Sequence, residues 1–261
     1  MNIHTKAADN LGANSAWLEK ELRHVNFKDK RLATRLFKTS NFIESKASGS
    51  INQSCRKWKD AKGAYRLFSN KKVDVSEIYS SHYKETLERI SGQECIFSVQ
   101  DTTYLDFDSH AKTKDLGSIS KAYTKHQMGL IVHSALAVTK DGVPLGLTSQ
   151  QCFTRPIREE TPKEKQRRKY LTNIKDKESY KWITSLKETI QNTKGIQVIT
   201  IGDMEADIFA LMLEAEEFGT LFLVRARKDR TLIDLEPKKT TTIHTAIKES
   251  IIKHRMTLQI P

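Results

Sequence analysis

Ile196-Gln197-Val198-Ile199-Thr200-Ile201-Gly202-Asp203, followed at once by Met204-Glu205-Ala206-Asp207 and the apolar segment Ile208-Phe209-Ala210-Leu211-Met212-Leu213, decides the fold. Ile196, Val198, Ile199 and Ile201 predict a short core strand ending at Asp203, because β-branched residues fit a pleated, buried surface. Phe209, Leu211, Met212 and Leu213 predict an apolar helix directly after it. Leu221 to Val224 then predicts a last core strand, running straight into Arg225-Ala226-Arg227-Lys228-Asp229-Arg230.

Upstream, residues 95–99 and 128–138 are apolar stretches of strand length. Asp141-Gly142 is a hairpin signal that joins the second of these to a third strand, residues 143–153. Residues 155–176 are dominated by charge without periodicity and read as a surface excursion, and a helix follows over about residues 178–191. Over residues 91–230 the expected order is β-β-β-α-β-α-β, an α/β class with a ribonuclease-H-like mixed sheet. In that arrangement the hairpin-connected strands 1 to 3 are antiparallel, and strand 4, arriving through a helix, lies parallel beside strand 1. Residues 231–261 hold a helix near residues 243–252 and an alternating Met256, Leu258 and Ile260 that predicts a strand.

Residues 1–90 are different in kind. Apolar positions recur at helical spacing (Trp17, Leu18, Leu22; Leu32, Leu36, Phe37; Tyr65, Leu67, Phe68; Ile78, Tyr79, Leu87), with Ser48-Gly49-Ser50 breaking the run, so a small all-α domain is expected. The protein carries a formal net charge of +12. Residues 1–90 hold 18 Lys and Arg against 10 Asp and Glu, so eight of the twelve excess charges lie there. Clustered cations favour a phosphate polymer as partner, and Lys28, Lys30, Arg31, Arg35 and Lys38 recur so that most share one solvated helix face. Cys55, Cys95 and Cys152 lack metal spacing, and the first residues lack a signal-like apolar run, which points to a reducing cytoplasm. No apolar stretch approaches the ~20 residues of a membrane span.

Asp101 follows the expected first strand and Asp203 the fourth, so two carboxylates distant in sequence are expected to converge at neighbouring strand ends. Carboxylate oxygens are hard ligands for Mg²⁺ or Mn²⁺, and a pair of such ions ~3.5–4 Å apart supports phosphoryl transfer. Each Asp also has an ordinary explanation: Asp101-Thr102-Thr103 as a turn, and Asp203 as a helix N-cap with Glu205 and Asp207 complementing the helix dipole. Their joint placement favours the site. His133 and Ser134 point to opposite faces of a strand and are expected to be packing residues rather than a nucleophile pair.

Several motifs in order resemble transposases of insertion-sequence family four, the group that includes the transposase of transposon five. In the front domain they are Trp17, Asp29-Lys30-Arg31 and Gly63-Ala64-Tyr65-Arg66-Leu67. In the core they are Asp101-Thr102-Thr103, Leu116-Gly117-Ser118-Ile119, Val132-His133-Ser134, Lys181-Trp182 and, most specific, Asp203-Met204-Glu205-Ala206-Asp207. The resemblance implies cut-and-paste DNA transposition, with Asp101 and Asp203 as catalytic metal ligands for Mg²⁺ or Mn²⁺. It implies double-stranded DNA bearing transposon terminal repeats as partner, and a homodimer on DNA for the full-length family. Tyr65 and Arg66 fall in its front-domain motif, Arg225 matches an arginine that holds the transposon end, and Arg227, Lys228 and Arg230 are adjacent candidates for phosphate contact.

The family's third carboxylate lies in the pattern Tyr, two residues, Arg, three residues, Glu, six residues, Lys, and none of the seven tyrosines here begins it. Glu214, Glu216, Glu217 and Glu249 fall on expected helices, where solvated faces explain them. The tail is expected to be the truncated start of the family's β-rich insertion, and little strand cleavage is expected of this chain alone. The alternative reading is a non-catalytic fragment that occupies transposon ends and interferes with an intact transposase.

Overall fold

A computed structural model describes residues 16–110, 112–120, 127–193, 195–234 and 239–251. The front of the chain forms five helices: α1 (Ala16–Leu22), α2 (Lys30–Ser45), α3 (Ile51–Ser54), α4 (Trp58–Phe68) and α5 (Val75–Ile90). Short polar side chains set their starts. Asp29 caps α2 by accepting from Arg31 N, Ser50 and Gln53 form a reciprocal capping box on α3, and Asp74 caps α5. Val25, Phe27, Leu36 and Leu67 make the core of this layer, with Ala61 and Ala64 of α4 facing Cys55 in a smaller cluster. Burying positions 61, 64 and 67 leaves the opposite face of α4 in solvent.

Helix α5 ties the helical layer to the sheet. Its last residue, Ile90, packs with Ile96, Ala137 and Val198 of the sheet. Partway along α5, His82 bonds Glu21 of α1 through Nδ1 and accepts from the backbone N–H of Leu147 through Nε2.

The sheet strands are β1 (Cys95–Asp106), β2 (Gly117–Ser118), β3 (Met128–Val138), β4 (Pro144–Phe153), β5 (Gln197–Gly202) and β6 (Leu221–Val224). β4 lies beside β3, then β1, β5 and β6 follow in that order, while the two-residue β2 pairs with the start of β3. β3 is antiparallel to both β1 and β4; β5 is parallel to β1, and β6 is parallel to β5. Helix α7 (Tyr180–Thr193, expected from 178) leads from the β4 side to β5, and α8 (Phe209–Glu217) leads from β5 to β6. Trp182, Ile183 and Leu186 of α7 meet Leu211 and Ala215 of α8 and Ala206 between them. A Cβ at Gly202 would stand 2.5 Å from the Ala206 Cβ and 3.1 Å from the Trp182 ring, so glycine there lets the end of β5 approach this core.

Several expectations from the sequence are corrected. The first strand does not stop before Asp101; pairing with β3 continues through Asp106↔Gly129, and the β-forming Thr102, Thr103 and Tyr104 sustain it. Gly117-Ser118, within the Leu116 to Ile119 motif, forms the short strand β2 by pairing with Gly129 and Met128. The charged excursion contains a helix, α6 (Pro162–Leu171), started by a Thr161–Glu164 capping box with Pro162 in the first turn, although it buries no residue. Lys28 precedes the Asp29 cap and is not on α2. Beyond the sheet, β7 (Thr231–Asp234) and β8 (Lys239–Thr242) form an antiparallel hairpin before α9 (Ile243–Glu249), shorter than the 243–252 expected. The strand expected at Met256 to Ile260 lies outside the described residues. Among the described residues no helix is long and apolar enough to cross a membrane.

Between the sheet and α7 runs a polar seam. His133, fully buried, meets the Thr102 hydroxyl at Nδ1 (2.9 Å) and Gln100 Oε1 at Nε2 (3.2 Å), with its ring edge-on to Trp182. Ser149 meets Ser185, and Thr148 meets Thr189, each pair within 3 Å. Burial and then the Lys181 ammonium push the His133 pKa from 6.5 down to about 3, against a smaller upward pull from the Asp101 backbone. The unfolded chain binds a proton at this residue that the folded chain refuses. Stability from His133 is therefore complete above pH 6.5 and is lost as pH falls toward 3, at up to about 1.4 kcal/mol per pH unit. Urea unfolding at pH 7.5 and pH 5.0 should show a drop of about 2 kcal/mol from this group in the parent. His133→Gln should be less stable at pH 7.5 but show a visibly smaller drop; equal drops in the two proteins would refute the assignment.

Candidate functional site

The parallel pairing of β1 with β5 runs from Cys95↔Gln197 to Val99↔Ile201. Two residues further along each strand come Asp101 and Asp203, at equivalent positions of that register. Pairing of β5 with β6 reaches Gly202↔Val224, and Arg225 N donates to the Gly202 carbonyl (3.2 Å), so Arg225 is the next position over. On the other side Asp101 pairs with Ser134 of β3. Ser134, Asp101, Asp203 and Arg225 thus occupy one row across four chain segments, and adjacent strands in such a row stand ~4.8 Å apart. Thr102 points to His133 on the α7 side, so the alternation of a strand turns Asp101 to the opposite face.

Both carboxylates are exposed. Asp203 is an N-cap, as its ordinary reading holds: Oδ1 accepts from Glu205 N at 2.8 Å. That bond engages one oxygen and leaves Oδ2. Among the described residues neither Asp101 nor Asp203 forms an ion pair. The acids that follow have other partners. Lys181, itself buried, reaches Glu205 Oε2 at 3.9 Å and Glu178 Oε1 at 3.5 Å, and Glu178 pairs with buried Arg155. A chain of ion pairs therefore runs beneath the row from the end of β4 to the turn that carries Asp203.

Asp207 does something the sequence reading did not foresee. Its side chain is only 2% exposed and accepts from the backbone N–H groups of Arg227 (2.9 Å) and Lys228 (3.3 Å) and from the Arg230 guanidinium (2.7 and 3.1 Å). Burial would raise its pKa, but these donors hold it below the ordinary carboxylate value. Arg230 is committed to this clamp, whereas Arg225, Arg227 and Lys228 are exposed on the segment it holds.

The second cluster lies on the helical layer. Arg31 and Arg35 of α2 face Lys59, Lys62 and Arg66 of α4 across a groove of about 430 Å³ floored by Leu32, Gly63 and Leu67. Tyr65 and Trp58 project from α4, 46% and 71% exposed. Lys30 is exposed at the start of α2, and Lys28 lines a separate cleft with Lys72 and Glu77. Lys59 and Lys62 were missed in the sequence, although their i, i+3, i+7 spacing with Arg66 places all three on one helical face. Asp29 pairs with Arg31 at 2.9 Å and Asp60 lies 3.8 Å from Arg35, too few acids to neutralise the groove. A cation-lined groove beside exposed aromatics suits a nucleic-acid backbone.

Among the described residues, one trio offers metal-ligating atoms close together: His24, Glu85 and Glu88. The Arg23 guanidinium already bridges Glu85 and Glu88 at 2.5 and 2.6 Å, which supplies the positive charge a metal would bring.

Residues 14–73 match the family model described as transposase DNA-binding, 60 of the 261 residues. That match supports a transposase-related role in DNA binding and covers the whole α2–α4 groove. A search of curated proteins finds no significant match to the chain.

Gly63 separates binding from folding in this groove. A Cβ there would fall 2.5 Å from Arg35 Nη1 and 2.8 Å from its Cζ, displacing the guanidinium, while alanine in a helix is worth ~0.8–1.0 kcal/mol over glycine. Gly63→Ala should leave the melting temperature unchanged or raised, weaken duplex DNA binding about five-fold, and flatten the salt dependence by about one phosphate contact. Unchanged affinity and salt slope in titrations at several salt concentrations would show that Arg35 does not touch DNA.

Proposed function

We propose that this chain is the DNA-end-binding domain and front catalytic part of a cut-and-paste transposase of the insertion-sequence family four type, with a ribonuclease-H-like core. The observation that carries the reading is the β1–β5 register, which puts Asp101 and Asp203 at equivalent positions on one sheet edge, in a chain whose front matches a transposase DNA-binding model.

The donor set fits a hard divalent cation: two exposed carboxylates, neither neutralised by a protein cation among the described residues, and one with an oxygen left over after capping. Asp101 and Asp203 would hold Mg²⁺ or Mn²⁺. The ion, when bound, supplies charge stabilisation and an acidified water for phosphodiester hydrolysis. The chain's own residues do the rest of the positioning. Arg225, Arg227 and Lys228 offer cations to the backbone beside the row, the Asp207–Arg230 clamp fixes their segment, and Arg31, Arg35, Lys59, Lys62, Tyr65 and Arg66 hold the duplex of the terminal repeat. Lys28 and Lys30 flank that surface. A homodimer on DNA accords with the resemblance.

The resemblance also calls for a third carboxylate that these 261 residues do not supply in its pattern, and fewer oxygen ligands weaken a divalent site. The chain by itself is therefore expected to bind ends and to nick poorly. A second reading, occupation of transposon ends without chemistry, draws on the cation excess of residues 1–90, 18 Lys and Arg against 10 Asp and Glu, and on the missing third acid.

A labelled terminal-repeat duplex tests both. The expected result is a gel shift that weakens steeply with salt, and Mn²⁺-dependent nicking that appears when the Glu-bearing C-terminal part of a family member is added and vanishes with Asp203→Ala. A shift with no nicking under any condition would leave only end occupation. A flat salt response would contradict both readings.

A further inference from the structure

Helix α6 has no fold-based reason for its composition. Its ten residues carry Lys163, Lys165, Arg167, Arg168 and Lys169 against one acid, Glu164, which is spent on the capping box with Thr161. None of them is buried, and Tyr170 and Leu171 stand 88% and 67% exposed. A helix polar on every side gains nothing from burial. Lys163 with Arg167 and Lys165 with Lys169 are like charges at i, i+4, which cost a few tenths of a kcal/mol each, and the lysines of the first turns also oppose the helix dipole. Glu160 meets Arg168 at 2.8 Å and Arg158 at 3.6 Å, a single carboxylate shared by two cations. Among the described residues no carboxylate pairs with Lys163, Arg167 or Lys169.

The cleft behind α6 has the same character. It measures about 490 Å³, and its wall holds Arg155, Arg158, Arg168, Lys169 and Lys177 against two acids, Asp176 and Glu178, the second of which pairs with Arg155. It opens just past Phe153, the end of β4. Because β4 and β1 are both antiparallel to β3, that is the sheet end toward which Asp101 lies. Arg155, in the cleft wall, also touches Tyr104, which strand alternation puts on the α7 face with Thr102, and the ion pairs through Glu178 and Lys181 run beneath the row to the turn of Asp203. Along the strand order β4-β3-β1-β5-β6, cations therefore follow both outer strands: Arg225 to Lys228 after β6, and the cleft wall and α6 after β4. These two outer strands stand about 19 Å apart at ~4.8 Å per neighbour, a span that covers many phosphates at one charge per ~1.7 Å of duplex.

We propose that α6 and the cleft behind it form a second DNA-binding surface, which grips the duplex backbone without regard to sequence on the side of the Asp101–Asp203 row opposite Arg225. Its placement rests on the reading of that row as the site of DNA chemistry. Its energetics are those of phosphate neutralisation alone, so it should add affinity to every duplex equally, in contrast to the α2–α4 groove.

The test uses the full chain, without metal, and two duplexes of equal length, one bearing the terminal repeat and one of random sequence, each titrated at several salt concentrations. The triple variant Lys163→Gln/Arg167→Gln/Lys169→Gln changes exposed side chains and should keep the parent melting temperature. It should bind both duplexes roughly ten-fold or more weaker, with a log–log salt slope flatter by about two to three, and with the preference for the repeat intact. Lys62→Gln/Arg66→Gln on α4 should instead reduce that preference. Parent-like affinity and slope in the triple variant would overturn the proposal, as would loss of preference equal to that of the α4 variant. Since the binding measurement contains no metal, it reports on α6 whatever the nicking assay says of the carboxylate row.

Discussion

The parallel pairing of β1 with β5 is the constraint on which the rest depends. Its register, Val99↔Ile201 at the last paired position, brings residues a hundred apart in sequence onto one edge. A slip of one residue would turn a whole set of side chains to the other face, burying Asp101 against α7 and exposing Gln100. Two features oppose that slip. Thr102 is held to His133 on the α7 side, and Gly202 is pressed against Trp182 and Ala206, where no side chain would fit. The buried seam beneath the sheet thus fixes which face the carboxylates occupy, so core and site are one mechanical unit.

Seen from that edge, the segment Asp203-Met204-Glu205-Ala206-Asp207 divides its work residue by residue. Asp203 caps the turn and presents a free oxygen on the row; Glu205 reaches the buried Lys181; Ala206 packs under Gly202; Asp207 clamps the segment that carries Arg227 and Lys228. Three acids within five residues would repel one another in water. Here the second and third are compensated by cations drawn from α7 and from beyond β6, and the first is not. An uncompensated carboxylate pair with Arg225 at the next position of the row is an arrangement that a folded chain tolerates at its surface and that, under the proposed function, a divalent ion and a phosphate backbone would complete.

Much of this was legible in the sequence. The apolar runs at 128–138 and 196–202 give strands at nearly those limits because burial on a sheet leaves little choice of residue type; the run at 221–224, expected as a core strand, also pairs but as the outermost strand, with Leu221, Phe222 and Leu223 exposed. The length of β1 was not legible: Gln100 and Asp101 interrupt the apolar run, and although Thr102, Thr103 and Tyr104 suit a strand, it is pairing with β3 that carries the extension to Asp106. Helix α6 was hidden because periodicity reports burial and this helix has none, yet Thr161-Pro162 with Glu164 was a readable start signal. For the site, the aspartates were singled out by their place near the ends of expected strands, and the β1–β5 register puts them at equivalent positions. The clamp by Asp207 depends on loop backbone groups twenty residues away, which no local pattern encodes, and Lys59 and Lys62 stand out only once α4 lies across from Arg31 and Arg35 of α2.

The most direct measurement of the central claim replaces the divalent ion with Fe²⁺ and lets hydroxyl radicals cut the polypeptide near where it binds. The account predicts paired cuts in one molecule, one set close to Asp101 and one close to Asp203, both lost when either aspartate is changed to alanine. Cuts near only one of the two, or cuts confined to the neighbourhood of His24 and Glu85, would contradict it.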